Sequence, residues 1–466
     1  MLFFRQYYLE CLSHASYLVG DETTGRAVVI DPQRDVAQYV DDAAAQGLSI
    51  ERVIETHFHA DFVSGHLELR DATGATISFG PTAVAEFPIE VLEHGTRLAL
   101  GDVVLEVRHT PGHTPESISI VVWEHPDDTL PYGVLTGDTM FIGDVGRPDL
   151  LSSKGVSADE LGGLLYHSLH EQLLTLPDET RVFPAHGAGS ACGKQLSTET
   201  TSTIGEQRRV NYALAPMTEA EFVAKVTEHQ PIAPPYFFFD AVQNRKERAA
   251  LDEVEPPRAL DCDDVDALVA AGAVVIDTRD HAEFAQGHLR GSFNVGLGGR
   301  FAEYCGDVVT PDTPIVLVTE PGTELEARVR LGRIGFDQVV GYLDGGSAAF
   351  LAHTDRVERS SRVTASELVD AIATRADLQI VDVRNPGETA LGVIPNAVVV
   401  PLAQLRGRID ELDPQRPTVV HCAGGYRSSL AASLLQANGF DDVSDLLGGF
   451  DAWAQAGGEV ARLDPV

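Results

Sequence analysis

The chain has 466 residues, 44% hydrophobic and 22% charged, with Lys+Arg 34 against Asp+Glu 70. At roughly 150 residues per domain this length predicts about three domains, and the composition excludes collagen-like and wholly disordered classes. The net charge of −36 disfavours a nucleic-acid partner or an anionic membrane surface. At the N-terminus Arg5, Gln6 and Glu10 interrupt the apolar start before a signal sequence can form. No stretch reaches the roughly 18 uncharged apolar residues that span a bilayer, so the expectation is a cytoplasmic protein. Residues 1 to about 215 then alternate β-rich runs with helical stretches and polar loops. The runs are Ala27–Ile30, Arg52–Thr56, Val103–Val107, Ile118–Val122, Val134–Thr136 and Arg181–Phe183, the pattern of a many-stranded α/β domain. A helix, an apolar Pro-Pro-Tyr-Phe-Phe-Phe run and a charged cluster lead to a break near Pro257.

Beyond that break the chain repeats itself at a period of about a hundred residues. Val274–Arg279 matches Gln379–Arg384, and Leu343-Asp344-Gly345-Gly346 matches Leu447-Gly448-Gly449-Phe450. So long a period indicates a duplicated domain and not a solenoid. Each copy reads as a strand ending in Asp-x-Arg, then a helix, then a strand, loop and helix, which fits a small parallel sheet with helices on both faces. The predicted domains are 1–257, 258–357 and 358–466.

In the first domain His57-Phe58-His59-Ala60-Asp61-Phe62 follows a predicted strand, where ligands can converge. Gly112-His113-Thr114, Gly137-Asp138 and Pro184-Ala185-His186-Gly187 sit on comparable loops. Four such loops, each with a potential ligand, indicate a metal site. Together these motifs resemble the metallo-β-lactamase superfamily over roughly residues 1 to 250, which implies an αββα sandwich. Its usual hydrolases hold two zinc ions, the second with help from a His directly after the motif's Asp. Here that position is Phe62, which has no lone pair to offer.

What remains resembles the persulfide dioxygenase branch, in which the corresponding His57, His113 and Asp138 would hold one Fe(II) per chain. Two imidazoles and a carboxylate make the facial triad of non-haem iron oxygenases. His59, Asp61 and His186 then fall to roles around the metal or in substrate binding. The run Gly143–Asp149 also resembles that branch and puts Arg147 near the substrate. The segment after His186 lacks the Tyr of glutathione-using relatives and carries Cys192, a further candidate for contact with substrate.

Five scattered cysteines without a Cys-x-x-Cys pair argue against a disulfide framework. One of them opens His421-Cys422-Ala423-Gly424-Gly425-Tyr426-Arg427-Ser428, a strand running into a glycine-bearing loop that starts a helix. Backbone N–H groups there form an anion-binding nest, and the helix start with Arg427 should favour a Cys422 thiolate. The spacing between Cys422 and Arg427 is one residue shorter than in cysteine phosphatases and suits a single sulfane sulfur. With Asp382-Val383-Arg384 the loop resembles the rhodanese family. The middle copy reads Val318-Thr319-Glu320-Pro321 at this place and has no thiol to offer, so it is expected to be inactive.

The fusion resemblance implies oxidation of a low-molecular-weight thiol persulfide with O₂ to sulfite and free thiol. Cys422 would exchange sulfane sulfur with sulfite or thiosulfate. Two alternatives stand beside it: a glyoxalase-II-like thioester hydrolase using zinc, and a sulfur carrier or persulfide sensor with a structural metal. The thiol, the direction of transfer and any homo-oligomer stay open.

Overall fold

In the computed structural model, which describes residues 1–150, 155–228 and 230–462, each of the six β-rich runs of the first half coincides with a strand, although the strand of Arg52–Thr56 ends at Ile54 and that of Val103–Val107 begins at Val104. The last four residues of the expected third domain lie outside the described residues. The chain opens with a hairpin that composition does not reveal, Leu2–Leu9 paired antiparallel with His14–Asp21. Residues 1–233 and 237–253 form one compact unit, and residues 234–236 and 254–466 form the other.

The first unit stacks two six-stranded sheets. One runs in the order Leu2–Leu9, His14–Asp21, Arg26–Ile30, Ser49–Ile54, Thr76–Phe79, Glu90–Val91. The other runs Ser202–Thr203, Arg181–Pro184, Gly133–Gly137, Ile118–Trp123, Val104–His109, Arg97–Ala99. Because successive side chains of a strand point to opposite faces, a continuous apolar run buries both. Val28 and Ile30 pack between the sheets against Leu105, Ile120 and Leu135. Val29 faces outward onto Tyr39 and Ala43 of the helix Ala37–Ala45. Val121, Val134 and Val182 of the second sheet likewise meet Leu165 and Phe222 of the helices Ala158–His167 and Glu219–Thr227. The layers are α, β, β, α. The loops after Ser49–Ile54, Val104–His109, Gly133–Gly137 and Arg181–Pro184 carry the four ligand motifs.

The second unit shows the duplication strand by strand. One five-stranded parallel sheet runs Ala259–Leu260, Val339–Leu343, Ile315–Val318, Val274–Asp277, Phe293–Asn294. Its counterpart runs Ser361–Val363, Val443–Leu446, Thr418–His421, Gln379–Asp382, Val398–Val399. The register pairs Asp277 with Val318 and Asp382 with His421, so Thr319 occupies the place that Cys422 has in the other copy. Among the described residues no helix is long and apolar enough to cross a membrane.

Candidate metal centre and sulfur-transfer loop

His57, His113 and Asp138 are buried, and one ligand atom of each lies within 4.8 Å of the others. The far ring nitrogens are already committed. His57 Nδ1 is 3.0 Å from Thr56 Oγ1, which in turn donates to Asp31 Oδ2 at 2.8 Å. His113 Nδ1 donates to the Arg147 carbonyl at 2.9 Å. Both rings therefore present Nε2 to Asp138 Oδ2, at 3.8 and 3.5 Å. That oxygen has no hydrogen-bond partner although it is fully buried. Two imidazole nitrogens with locked tautomers and an orphaned carboxylate oxygen fit a cation, whose charge would meet the demand the protein leaves open.

The other Asp138 oxygen is held by His186, whose Nδ1 lies 2.8 Å from Oδ1 while its Nε2 lies 2.7 Å from Asp61 Oδ2. Burial opposes a charge on this ring, but the Asp138 and Asp61 carboxylates prevail and hold it well above the ordinary histidine range. His59 turns away from the triad toward Asp31 Oδ1 at 3.1 Å and Glu55 Oε2 at 3.3 Å. Burial again opposes its charge, and the two carboxylates push it up to about 10. Glu55 is shared with His66, 3.2 Å away. Phe62 is fully buried with its ring 4.4 Å from His59 and 4.1 Å from His14. The aromatic ring packs against both imidazoles and offers no lone pair to a metal.

The structure adds one feature that spacing could not show. Cys192 joins Asp61 and His186 in a second buried trio of ligand-type atoms within 4.8 Å. Burial, with the charges of Asp61 and Asp138, pushes the Cys192 thiol well above the ordinary range, so it stays protonated. Arg147 is enclosed: it grips Asp149 at 2.7 Å through both Nε and Nη2, and its Nη1 donates to the carbonyls of Ala191 and Pro231 at 3.1 and 2.6 Å. Its main chain accepts from His113 and donates to the Cys192 carbonyl at 3.1 Å. Arg147 thus braces the metal loop and the Cys192 loop together. The neighbouring Gly146 has no space for a side chain, because a Cβ would stand 1.9 Å from the Asp138 carbonyl oxygen.

In the second unit the strand Thr418–His421 leads into Cys422, and the helix Tyr426–Ala437 begins after Gly425, whose φ of +108° favours glycine. The Gly425 N–H donates to Cys422 Sγ at 3.1 Å, and Ser428 Oγ lies 3.7 Å from the same sulfur. The carbonyls of Cys422 and Ala423 are drawn off by the N–H groups of Phe450 and Asp451 at 2.8 and 3.1 Å, which keeps acceptors away from the sulfur. Arg427 spends its fork on Glu388, at 2.7 and 2.6 Å, a partner that the loop motif does not announce. Its charge still acts on Cys422 electrostatically. Tyr426 donates to the carbonyl of Gly296 in the other half of the unit, and Ser429 Oγ donates to Asn294 Oδ1 at 2.8 Å. The copy with Thr319 in place of the loop cysteine therefore holds the loop of the copy that carries Cys422.

A rhodanese-like domain profile matches residues 261–353 and 364–456, and a metallo-β-lactamase superfamily profile matches residues 9–78. The persulfide dioxygenase ETHE1 of Bos taurus is 33% identical over 212 residues, 45% of this chain and 74% of its own length. That of Homo sapiens is 32% identical with the same coverage. A crystal structure of a metallo-β-lactamase from Staphylococcus aureus subsp. aureus COL superposes with a TM-score of 0.66 at 32% identity, over 73% of this chain and 98% of that one.

Proposed function

Because the chain belongs to the persulfide dioxygenase family of the metallo-β-lactamase superfamily and continues into two rhodanese-like domains, we propose that it oxidises a low-molecular-weight thiol persulfide and passes sulfane sulfur through Cys422. The overall oxidation is R–S–SH + O₂ + H₂O → R–SH + SO₃²⁻ + 2 H⁺. The observation that carries it is the meeting of His57 Nε2, His113 Nε2 and Asp138 Oδ2, with their other atoms locked. Those three residues would hold one iron(II), which when bound supplies the redox chemistry by which O₂ oxidises the outer sulfur. Thr56 and the Arg147 carbonyl fix the two rings, and His186 fixes the carboxylate. Asp61 and Cys192 stand beside this centre as groups to position the substrate sulfur.

In the third domain, assigned to residues 358–466, the Gly425 N–H donates to the Cys422 sulfur, and Ser428 Oγ accepts from the thiol while giving its own proton to the Gly425 carbonyl. Cys422 takes a sulfane sulfur as Cys–S–SH and hands it to sulfite as thiosulfate, or works in reverse. Residues 1–257 carry the oxidation, and residues 258–357 form a rhodanese-like copy that lacks the catalytic cysteine of the loop.

The trio Asp61, His186 and Cys192 favours a second reading, a two-metal thioester hydrolase with zinc-activated water. Metal analysis of anaerobically purified chain, followed by an oxygen-electrode trace on adding glutathione persulfide, separates the two. The proposal expects about one iron per chain and immediate oxygen uptake. Two zinc ions per chain, with thioester hydrolysis and no uptake, would overturn it.

A further inference from the structure

Arg427 stands in the first turn of the helix Tyr426–Ala437, beside the sulfur-transfer loop, yet among the described residues every hydrogen bond it makes goes to Glu388. Nη1 meets Oε2 at 2.7 Å and Nη2 meets Oε1 at 2.6 Å, so the two planar groups face each other end to end. Bidentate pairs of this kind are among the strongest charge-assisted hydrogen bonds. Glu388 does not owe its place to Arg427. It is the third residue of the short helix Pro386–Thr389, and the Asn385 N–H donates to its Oε2 at 2.9 Å in a capping box. The side chains of Arg427 and Glu388 are 15% and 35% exposed, so water screens the pair only in part. Burial opposes the charge on Glu388, but Arg427 and the Asn385 N–H hold its carboxyl below the ordinary range, and it is ionised at neutral pH.

The sulfur itself is met by uncharged groups. The Gly425 N–H donates to Cys422 Sγ at 3.1 Å, and Ser428 Oγ lies 3.7 Å from it. Asp307 is a further carboxyl within electrostatic reach of Arg427, but burial and Glu303 push it up to about 8 against Arg300 and Arg427, so it carries its proton at neutral pH. The carboxylate that matches the charge of Arg427 is therefore Glu388.

We propose that Glu388 is a specificity-determining residue of the sulfur-transfer loop: by neutralising Arg427 it turns the loop away from thiosulfate and toward organic persulfides as donors of sulfane sulfur. The proposal rests on the reading of Cys422 as the transfer nucleophile. With thiosulfate the step is S₂O₃²⁻ + Cys422–S⁻ → Cys422–S–S⁻ + SO₃²⁻. The thiolate attacks the outer sulfur, the S–S bond breaks, and sulfite leaves with the electron pair. A dianion whose charge lies next to the reacting sulfur must then approach a thiolate at a loop whose arginine is already matched. With an organic persulfide the step is R–S–SH + Cys422–S⁻ → R–S⁻ + Cys422–S–SH. The carrier leaves as its thiolate while the proton stays on the terminal sulfur. Its other charged groups lie several bonds from that sulfur, so the loss of a free cation matters less. The neutralised loop also lets thiosulfate leave once it has formed.

The test follows sulfur transfer to cyanide anaerobically in the full chain, with thiosulfate or glutathione persulfide as donor and Cys422→Ser as the blank. Glu388→Gln keeps the shape and can still close the capping box, but it leaves the charge of Arg427 unmatched. The ratio of KM for thiosulfate to KM for glutathione persulfide should fall about tenfold, with the two kcat values moving together. A merely structural role would change both donors alike, and an unchanged or raised ratio overturns the proposal. Sulfate, an inert dianion, gives a second measurement at constant ionic strength. It should leave transfer from glutathione persulfide unaffected in the parent chain and compete with thiosulfate in Glu388→Gln. Competition by sulfate in the parent chain overturns the proposal even where the variant does not fold. A parent chain in which neither donor loads Cys422 overturns the reading of Cys422 and the proposal with it, and that result is distinct from the others.

Discussion

At His57 one hydroxyl decides which ring nitrogen faces the metal. Thr56 Oγ1 gives its proton to Asp31 and accepts that of His57 Nδ1, leaving Nε2 bare. Thr56→Val keeps the volume and removes this link. Loss of such a partner typically weakens metal binding about 10- to 100-fold, which competition against a chelator will measure. Asp307 makes a prediction of another kind. Burial and Glu303 raise its folded-state pKa to about 8, with Arg300 and Arg427 opposing, against about 3.9 in the unfolded chain. Between those values the folded state holds a proton that the unfolded state has released, so stability is greatest at the acid end and falls as pH rises toward about 8. Asp307→Asn should flatten that slope. The check is the urea midpoint for loss of sulfurtransferase activity, taken at about pH 5 and about pH 8 for both chains.

The strand ends show how the duplicated copies are built. In each, the Arg of Asp-x-Arg folds back on the Asp: Arg279 Nη2 meets Asp277 Oδ2 at 2.6 Å, and Arg384 Nη2 meets Asp382 Oδ2 at 2.6 Å. The same guanidinium donates to the Gly287 carbonyl in one copy and to Gly392 in the other, at 3.0 and 2.8 Å. Both pairs are almost fully buried. Arg384→Ala would strand the Asp382 carboxylate and should cost about 3–5 kcal/mol in chemical denaturation. Arg384→Lys should recover little, since an ammonium cannot reproduce the planar fork. These motifs were legible in the sequence because each is local: Asp and Arg two residues apart, His57 and His59 on one loop, Cys422 at the mouth of a helix. Contacts made across the chain were not. Cys192 reaches Asp61 and His186 only once strands from both ends of the first unit have paired, and Asp31 reaches Thr56 across two neighbouring strands. Arg427 was expected to serve Cys422 directly. Its pairing with Glu388, 39 residues upstream, joins side chains of two separate helices that no local pattern links.

Over the whole molecule the triad His57, His113 and Asp138 and the loop cysteine Cys422 sit in separate compact units. The order of domains matches the order of reactions proposed, with sulfite from the first as the acceptor at the second. Asp138→Ala should abolish metal binding and oxygen uptake and still let Cys422 pass sulfur from thiosulfate to cyanide, because that route needs no metal. The most direct measurement is oxygen uptake by Cys422→Ser on addition of glutathione persulfide, with sulfite and thiosulfate assayed in the same sample. The account predicts that uptake continues, that sulfite accumulates and that enzyme-dependent thiosulfate disappears. Oxygen uptake lost as completely as in Asp138→Ala would contradict it, for Cys422 would then supply the oxidation site and the proposed order of steps would be reversed.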